Sequence, residues 1–132
     1  MNNDTLRIIN ITLISFFVVY GIYLGVLYAI RRYSAKTVTA QEFGQDLRKV
    51  QLIDLRERDE FNNAHILGAR NIPNSQFKAR MGEIRKDQPV YLYDMGVNVS
   101  GRAAFRLKRA GYNNIVILKG GFDAWNGKIK RK

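Results

Sequence analysis

Residues Ile8 to Ile30 read IINITLISFFVVYGIYLGVLYAI, and none of them is charged. A helix rises about 1.5 Å per residue, so roughly 20 residues cross the hydrocarbon core of a bilayer, and this run is long enough. Its polar members, Asn10, Thr12 and Ser15, are mild, and Tyr20, Tyr23 and Tyr28 suit an interface or a helix–helix contact. A cleaved signal peptide fits poorly. The run exceeds the roughly 7–15 residues of such a peptide's apolar region, and Arg31-Arg32 stands where small residues should precede a cleavage site. A buried core helix fits no better, because nothing later in the chain could cover so wide an apolar surface. The sequence therefore predicts a single transmembrane helix at about 8–30 within an N-terminal segment 1–33. One domain follows over 34–132.

Flanking charge gives the orientation. Asp4 and Arg7 precede the span, whereas Arg31, Arg32 and Lys36 follow it with no acid before Glu42. The positive-inside rule then puts the short N-terminus outside and the domain in the cytoplasm of a single-pass cell-membrane protein. Asp4 and Arg7 cancel, so the net charge of +11 lies entirely after the span, with KIKRK (Lys128 to Lys132) contributing. A basic domain tethered beside an anionic leaflet gains roughly 1 kcal/mol for each Lys or Arg near the surface. Nucleic acid is the lesser candidate, because no RNA-binding motif or helix-turn-helix cue is present. Gly21 and Gly25 form a small-xxx-small pair that would suit a homodimer through the span. The chain has no cysteine, which excludes disulfides, cysteine metal sites and thiol chemistry. No metal or cofactor is called for.

After a short linker, Ser34 to Thr37, strands and helices alternate. Thr39 with Glu42 fits a capping box, predicting a helix of about eight residues through Leu47. QLIDL (Gln51 to Leu55) reads as a strand, RERDEF as a charged turn and small helix, and Arg70 to Ile72 as an extended piece ended by Pro73. Asn74 or Ser75 would cap a helix through Ile84 with Phe77, Met81 and Ile84 on one face. Pro89 opens the strand VYLY, and the loop Asp94 to Val99 leads to a helix near Gly101 to Ala110 with Ala103, Leu107 and Ala110 as its apolar stripe. Gly111 ends that helix, IVIL is another strand, and GGFDAW starts a last helix. Parallel strands need crossovers and helices supply them, so the class is α/β with a largely parallel sheet.

LIDLRERDEFNNAHILGARNIP resembles the first signature of the rhodanese-like family: strand, Asp, Arg-Glu, an acidic-aromatic pair, then His-Ile-x-Gly-Ala-x-x-Ile-Pro. GYNNIVILKGGFDAW resembles its C-terminal signature. The resemblance covers about Val38 to Trp125 and implies a three-layer sandwich around a central five-stranded parallel sheet. Ala64 and Leu67 depart mildly from the pattern, standing for a glycine and a proline. The resemblance puts the family's nucleophilic cysteine at Asp94, at the start of the binding loop Asp94, Met95, Gly96, Val97, Asn98, Val99 and Ser100. Asp54, Arg56 and His65 are then structural: the first two an ion pair at the strand–loop turn, the third a hydrogen-bonder under the loop. Trp125 and Phe122 read as core residues, and Gly120-Gly121 as a tight turn.

The catalytic set is accordingly empty, and Asp94 marks a degenerate nucleophile position. Sulfur transfer in this family needs a thiolate, which is soft and strongly nucleophilic. A carboxylate is hard and weakly basic, with an unperturbed pKa of about 3.9. The related cysteine phosphatases need Cys, five residues, then Arg. Counting from Asp94 puts Ser100 at the arginine place, and Arg102 comes too late. An aspartyl-phosphate site would want Mg²⁺ and further acids; DMGVNV holds none, and Asp54 and Glu57 could approach only through the fold. The expected role is a membrane-tethered, catalytically inactive binding or regulatory module with a protein partner. The alternative is a sulfurtransferase using a non-standard mechanism or a partner's thiol. In the loop, the Asp94 carboxylate is expected to plug an anion-binding nest, accepting N–H bonds from Gly96 to Ser100.

Overall fold

The computed structural model describes residues 2–33, 35–45, 47–96 and 98–131, with residues 30–33 described through their backbone alone. Val97 of the expected loop, Ser34 of the expected linker and Lys132 of the basic tail lie outside the described residues. The chain divides into two units, Met1–Ile30 and Arg31–Lys132. Helix α1 (Asn3–Tyr33) makes the first, with large apolar side chains such as Ile11, Phe16, Val19 and Ile22 exposed. The Thr12 hydroxyl donates to the Ile8 carbonyl at 2.8 Å, which satisfies it within its own helix. Asn3–Ala29 is long and apolar enough to cross a membrane.

The second unit holds β1 (Lys36–Val38), α2 (Ala40–Phe43), β2 (Gln51–Asp54), α3 (Arg58–Asn63), β3 (His65–Ile66) and β4 (Arg70–Asn71). These are followed by α4 (Asn74–Arg80), β5 (Val90–Tyr93), α5 (Asn98–Arg109), β6 (Ile115–Leu118) and β7 (Ile129–Lys130). Five strands form one parallel sheet in the order β1-β6-β5-β2-β4. Its register sets Ile53 beside Leu92 and Leu92 beside Ile117. This is the central sheet that the resemblance implies.

Strand side chains alternate in direction, and both faces of this sheet are covered. Ile53, Val90, Leu92, Ile115 and Ile117 point to one face, where Phe77 of α4 and Ala103, Ala104 and Leu107 of α5 pack. Leu52, Tyr93, Val116 and Leu118 point to the other, under Phe43 of α2 and Ile66 of β3. That is why IVIL is an unbroken apolar run: all four residues are buried. Two alanines on α5 let its backbone approach the sheet closely. Full burial of residues such as Leu92, Phe77 and Leu107 contributes roughly 1.5–3 kcal/mol each.

Several local expectations are corrected. Residues 36–38 are an edge strand rather than linker, because Thr37 and its neighbours pair with β6. The helix after Thr39 stops at Phe43, where Gly44 caps it, and Leu47–Lys49 is a separate 3₁₀ turn. Only half of the capping box forms: the Thr39 hydroxyl accepts the Glu42 N–H at 3.4 Å. Pro73, not Asn74 or Ser75, sits at the cap of α4, which ends at Arg80 and passes into a 3₁₀ turn, Met81–Glu83. Phe77 and Ile84 are nonetheless buried, with Met81 packed beside them. Helix α5 begins at Asn98, three residues earlier than its alanines indicate. GGFDAW gives a 3₁₀ turn, Gly121–Ala124, and no long helix; the chain then forms β7, antiparallel to β3.

Tyr93 links the main sheet to this small one. It is fully buried, and its hydroxyl accepts the Ile66 N–H at 3.1 Å. Burial raises its pKa above the ordinary value of 10.0, and the charge of Asp54 raises it further. The fold thus favours the neutral phenol, whose contribution is complete below about pH 10 and is lost as pH rises beyond it. Tyr93→Phe removes that titration but orphans a buried N–H, which costs about 1–3 kcal/mol. The variant is expected to be less stable at about pH 8, with the gap narrowing at about pH 10.5. Urea midpoints at both values check this; a constant gap would mean that the phenol does not titrate as inferred.

Candidate functional site

Strands β2 and β5 lie side by side, and their connections leave in opposite directions, β2 outward to β4 and β5 to β6. In open parallel sheets, the crevice beyond the strand ends at such a switch point is where ligands bind. Asp54, Leu55 and Arg56 close β2 at this edge, Asp94 follows β5, and Gly120-Gly121 follows β6.

Asp94 is buried, with only 7% of its surface exposed. Its Oδ1 accepts the Gly96 N–H at 3.0 Å and the Ser100 hydroxyl at 3.1 Å. Ser100 is wholly buried in the first turn of α5. The expected bonds from Gly96 to Ser100 are thus corrected: among the described residues of that stretch, Gly96 alone gives its N–H, and Ser100 gives its hydroxyl instead. A carboxylate before a helix start also complements the helix dipole. On the outer side of the loop Met95 and Asn98 are exposed, and Val99 packs against the core.

The main chain of the loop is held separately. The Phe122 N–H donates to the Asp94 carbonyl at 2.7 Å. Gly120 and Gly121 have φ of +80° and +65°, a left-handed conformation that glycine adopts without strain. A Cβ at Gly121 would lie 2.3 Å from the Asp94 carbonyl oxygen, so the turn and the loop touch backbone to backbone. Adjacent glycines after an apolar strand signal such a turn, but its contact with the loop is visible only in the fold.

Asp54 and Arg56 form a buried bidentate pair: Arg56 Nε and Nη2 donate to the carboxylate at 3.2 and 2.9 Å, and the Arg56 N–H adds a bond at 2.8 Å. Burial works against the guanidinium charge, but the hydrogen bond and charge of Asp54 outweigh it and raise the Arg56 pKa above its ordinary value. Nη2 also donates to the Ala64 carbonyl at 2.5 Å, and the guanidinium lies 4.1 Å over the Phe122 ring. His65 sits in β3; its Nδ1 donates to the Phe61 carbonyl at 2.8 Å, and its ring stacks on Phe61 at 3.8 Å. Glu57 accepts a bond from the Ser75 hydroxyl at 3.2 Å. Among the described residues no cluster of His, Asp and Glu could hold a metal ion.

The site is thus a loop whose leading carboxylate is bonded to one backbone N–H and one buried hydroxyl. Asp94→Asn keeps the acceptor oxygen and removes the charge, and is expected to cost about 0.3–1 kcal/mol at neutral pH. Asp94→Ala leaves the Ser100 hydroxyl unpaired and is expected to cost about 1–3 kcal/mol. Thermal melts of the three proteins check the order; equal melting temperatures for Asp94 and its Asn variant would show that the charge adds nothing.

The family model for the rhodanese-like domain matches residues 39–128. YqhL of Bacillus subtilis (strain 168) is 50% identical over 123 residues, covering 93% of this chain and 98% of that protein. Thiosulfate sulfurtransferase GlpE of Shewanella oneidensis is 33% identical over 81 residues, 61% of this chain and 80% of the enzyme. The crystal structure of a rhodanese-related protein from Thermoplasma volcanium superposes with a TM-score of 0.69 at 22% identity, over 74% of this chain and 99% of that one, and so shares the fold. A central parallel sheet, a cradle at the end of β5 and a family match spanning almost all of the second unit agree: the chain belongs to the rhodanese-like domain family and is related to sulfurtransferases.

Proposed function

We propose that this protein is a catalytically inactive rhodanese-like domain, tethered to the membrane and acting as a binding or regulatory module for a protein partner. One observation carries the reading: the chain has no cysteine, and the residue that follows β5, where the resemblance implies the nucleophile, is Asp94, hydrogen-bonded to Gly96 and Ser100. A persulfide carrier attacks the outer sulfur of a donor with a thiolate and keeps that sulfur. A carboxylate oxygen forms no comparably stable sulfur adduct. Its bonds to Gly96 and Ser100 also occupy donors that would otherwise face an incoming anion.

The tether reading draws on the helix Asn3–Ala29, whose most apolar 18-residue window has a mean hydropathy of 2.0. The orientation, with the N-terminus outside and the domain in the cytoplasm of a single-pass cell-membrane protein, draws on the basic residues after the span. Helix α5 adds Arg102, Arg106 and Arg109, spaced to share one helix face and all exposed. These cations suit an anionic leaflet.

A second reading is favoured by the similarity to GlpE: the domain transfers sulfur by a non-standard mechanism or with a thiol lent by a partner. Thiocyanate formation from thiosulfate and cyanide by the chain alone separates the inactive reading from a mechanism of the chain's own. The full chain in detergent, free of added thiols, is expected to give no turnover above background. Asp94→Cys is expected to give measurable turnover, since it restores a thiol to the cradle. Turnover by the unaltered chain that disappears in Asp94→Ala would end the inactive reading.

A further inference from the structure

A second concavity, of about 600 Å³, lies beside α2 and the turn 47–49. Leu67 and Trp125 supply its apolar surface above the buried Ile66, and Arg48, Lys49 and Lys128 its charge. Ile66 is fully buried, but Leu67 is 49% exposed, a large apolar side chain left to solvent. Arg48, Lys49 and Lys128 are exposed, and none has an ion-pair partner among the described residues. No described acidic residue lines the groove.

The aromatic wall is built to stay in place. Trp125 Nε1 donates to the Lys128 carbonyl at 3.1 Å, and the Leu67 N–H donates to the same oxygen at 3.1 Å. The indole passes close to two glycines. A Cβ at Gly44 would lie 3.0 Å from its Cη2, and one at Gly127 would lie 2.4 Å from its Cζ2. The ring also packs edge-on against Phe43 at 6.1 Å. A rigid aromatic surface loses little conformational freedom when a ligand arrives, which favours binding.

We infer that this groove docks an acidic peptide segment of a partner protein, with one or two of the segment's apolar side chains entering against Leu67 and Trp125. Charge decides the occupant: three exposed cations, none with an ion-pair partner among the described residues, border an apolar hollow in a chain of net charge +11. Shape favours a peptide over a bilayer, because a side chain fills a hollow that a flat headgroup surface spans. The inference is independent of sulfur chemistry, and its failure would leave the reading of Asp94 untouched.

Trp125 is the only tryptophan, so its emission reports on the groove directly. The full chain, reconstituted in phosphatidylcholine nanodiscs, is titrated with a short synthetic peptide rich in Glu and Asp around a Leu-Phe pair. A saturable emission change is expected, weakened by salt and reduced about tenfold or more by Arg48→Glu with Lys49→Glu. Gly127→Ala, which displaces the indole, is expected to weaken binding with the melting transition retained. Equal binding of a peptide with Lys in place of its acids would overturn the inference, as would a response unchanged by the charge reversals. So would nanodiscs containing phosphatidylglycerol that give the same emission change without peptide, since the occupant would then be the leaflet.

Discussion

The buried pairing of Asp54 with Arg56 is the constraint on which the site edge of this domain rests. Burying two charges is costly, and their attraction repays it only when the remaining donors and acceptors are satisfied. Here they are: the guanidinium meets the carboxylate twice, reaches the Ala64 carbonyl, and covers the face of Phe122. Asn71 Nδ2 donates to the Asp54 and Arg56 carbonyls at 3.1 and 2.9 Å, binding β4 to the same turn. One cation therefore relates the end of β2, the residue before β3, and the turn after β6.

Phe122 passes that order on. Its ring lies beneath the guanidinium while its N–H holds the Asp94 carbonyl. The loop that begins at Asp94 is thus positioned by a chain of contacts beginning at a salt bridge on another strand. This explains how the main chain at Asp94 is held independently of what its side chain bonds. It also gives Asp54 and Arg56 a positional role, with neither needing to touch a substrate.

Much of the fold was legible because doubly covered parallel strands must be apolar on both sides. QLIDL, VYLY and IVIL announce themselves for that reason, and the order of strands and helices followed. Helix ends were less legible. Thr39 signals a start correctly, but nothing local reveals that Gly44 will stop α2 after one turn to make room for Trp125. The strand formed by Ile129 and Lys130 was hidden in a basic tail because its order comes from pairing with β3. The place of Asp94 just after the VYLY strand was readable, whereas its bond to a side-chain hydroxyl at Ser100 was not. The groove at Trp125 gave no sequence signal, since its walls come from three distant segments.

The turn at Gly120-Gly121 grips the loop by main-chain atoms alone. A scaffold that locates a position without using its side chain leaves that position free to drift. Such a socket can exchange one functional group for another over evolutionary time while the surrounding architecture is inherited intact, so kinship in shape outlasts kinship in reaction.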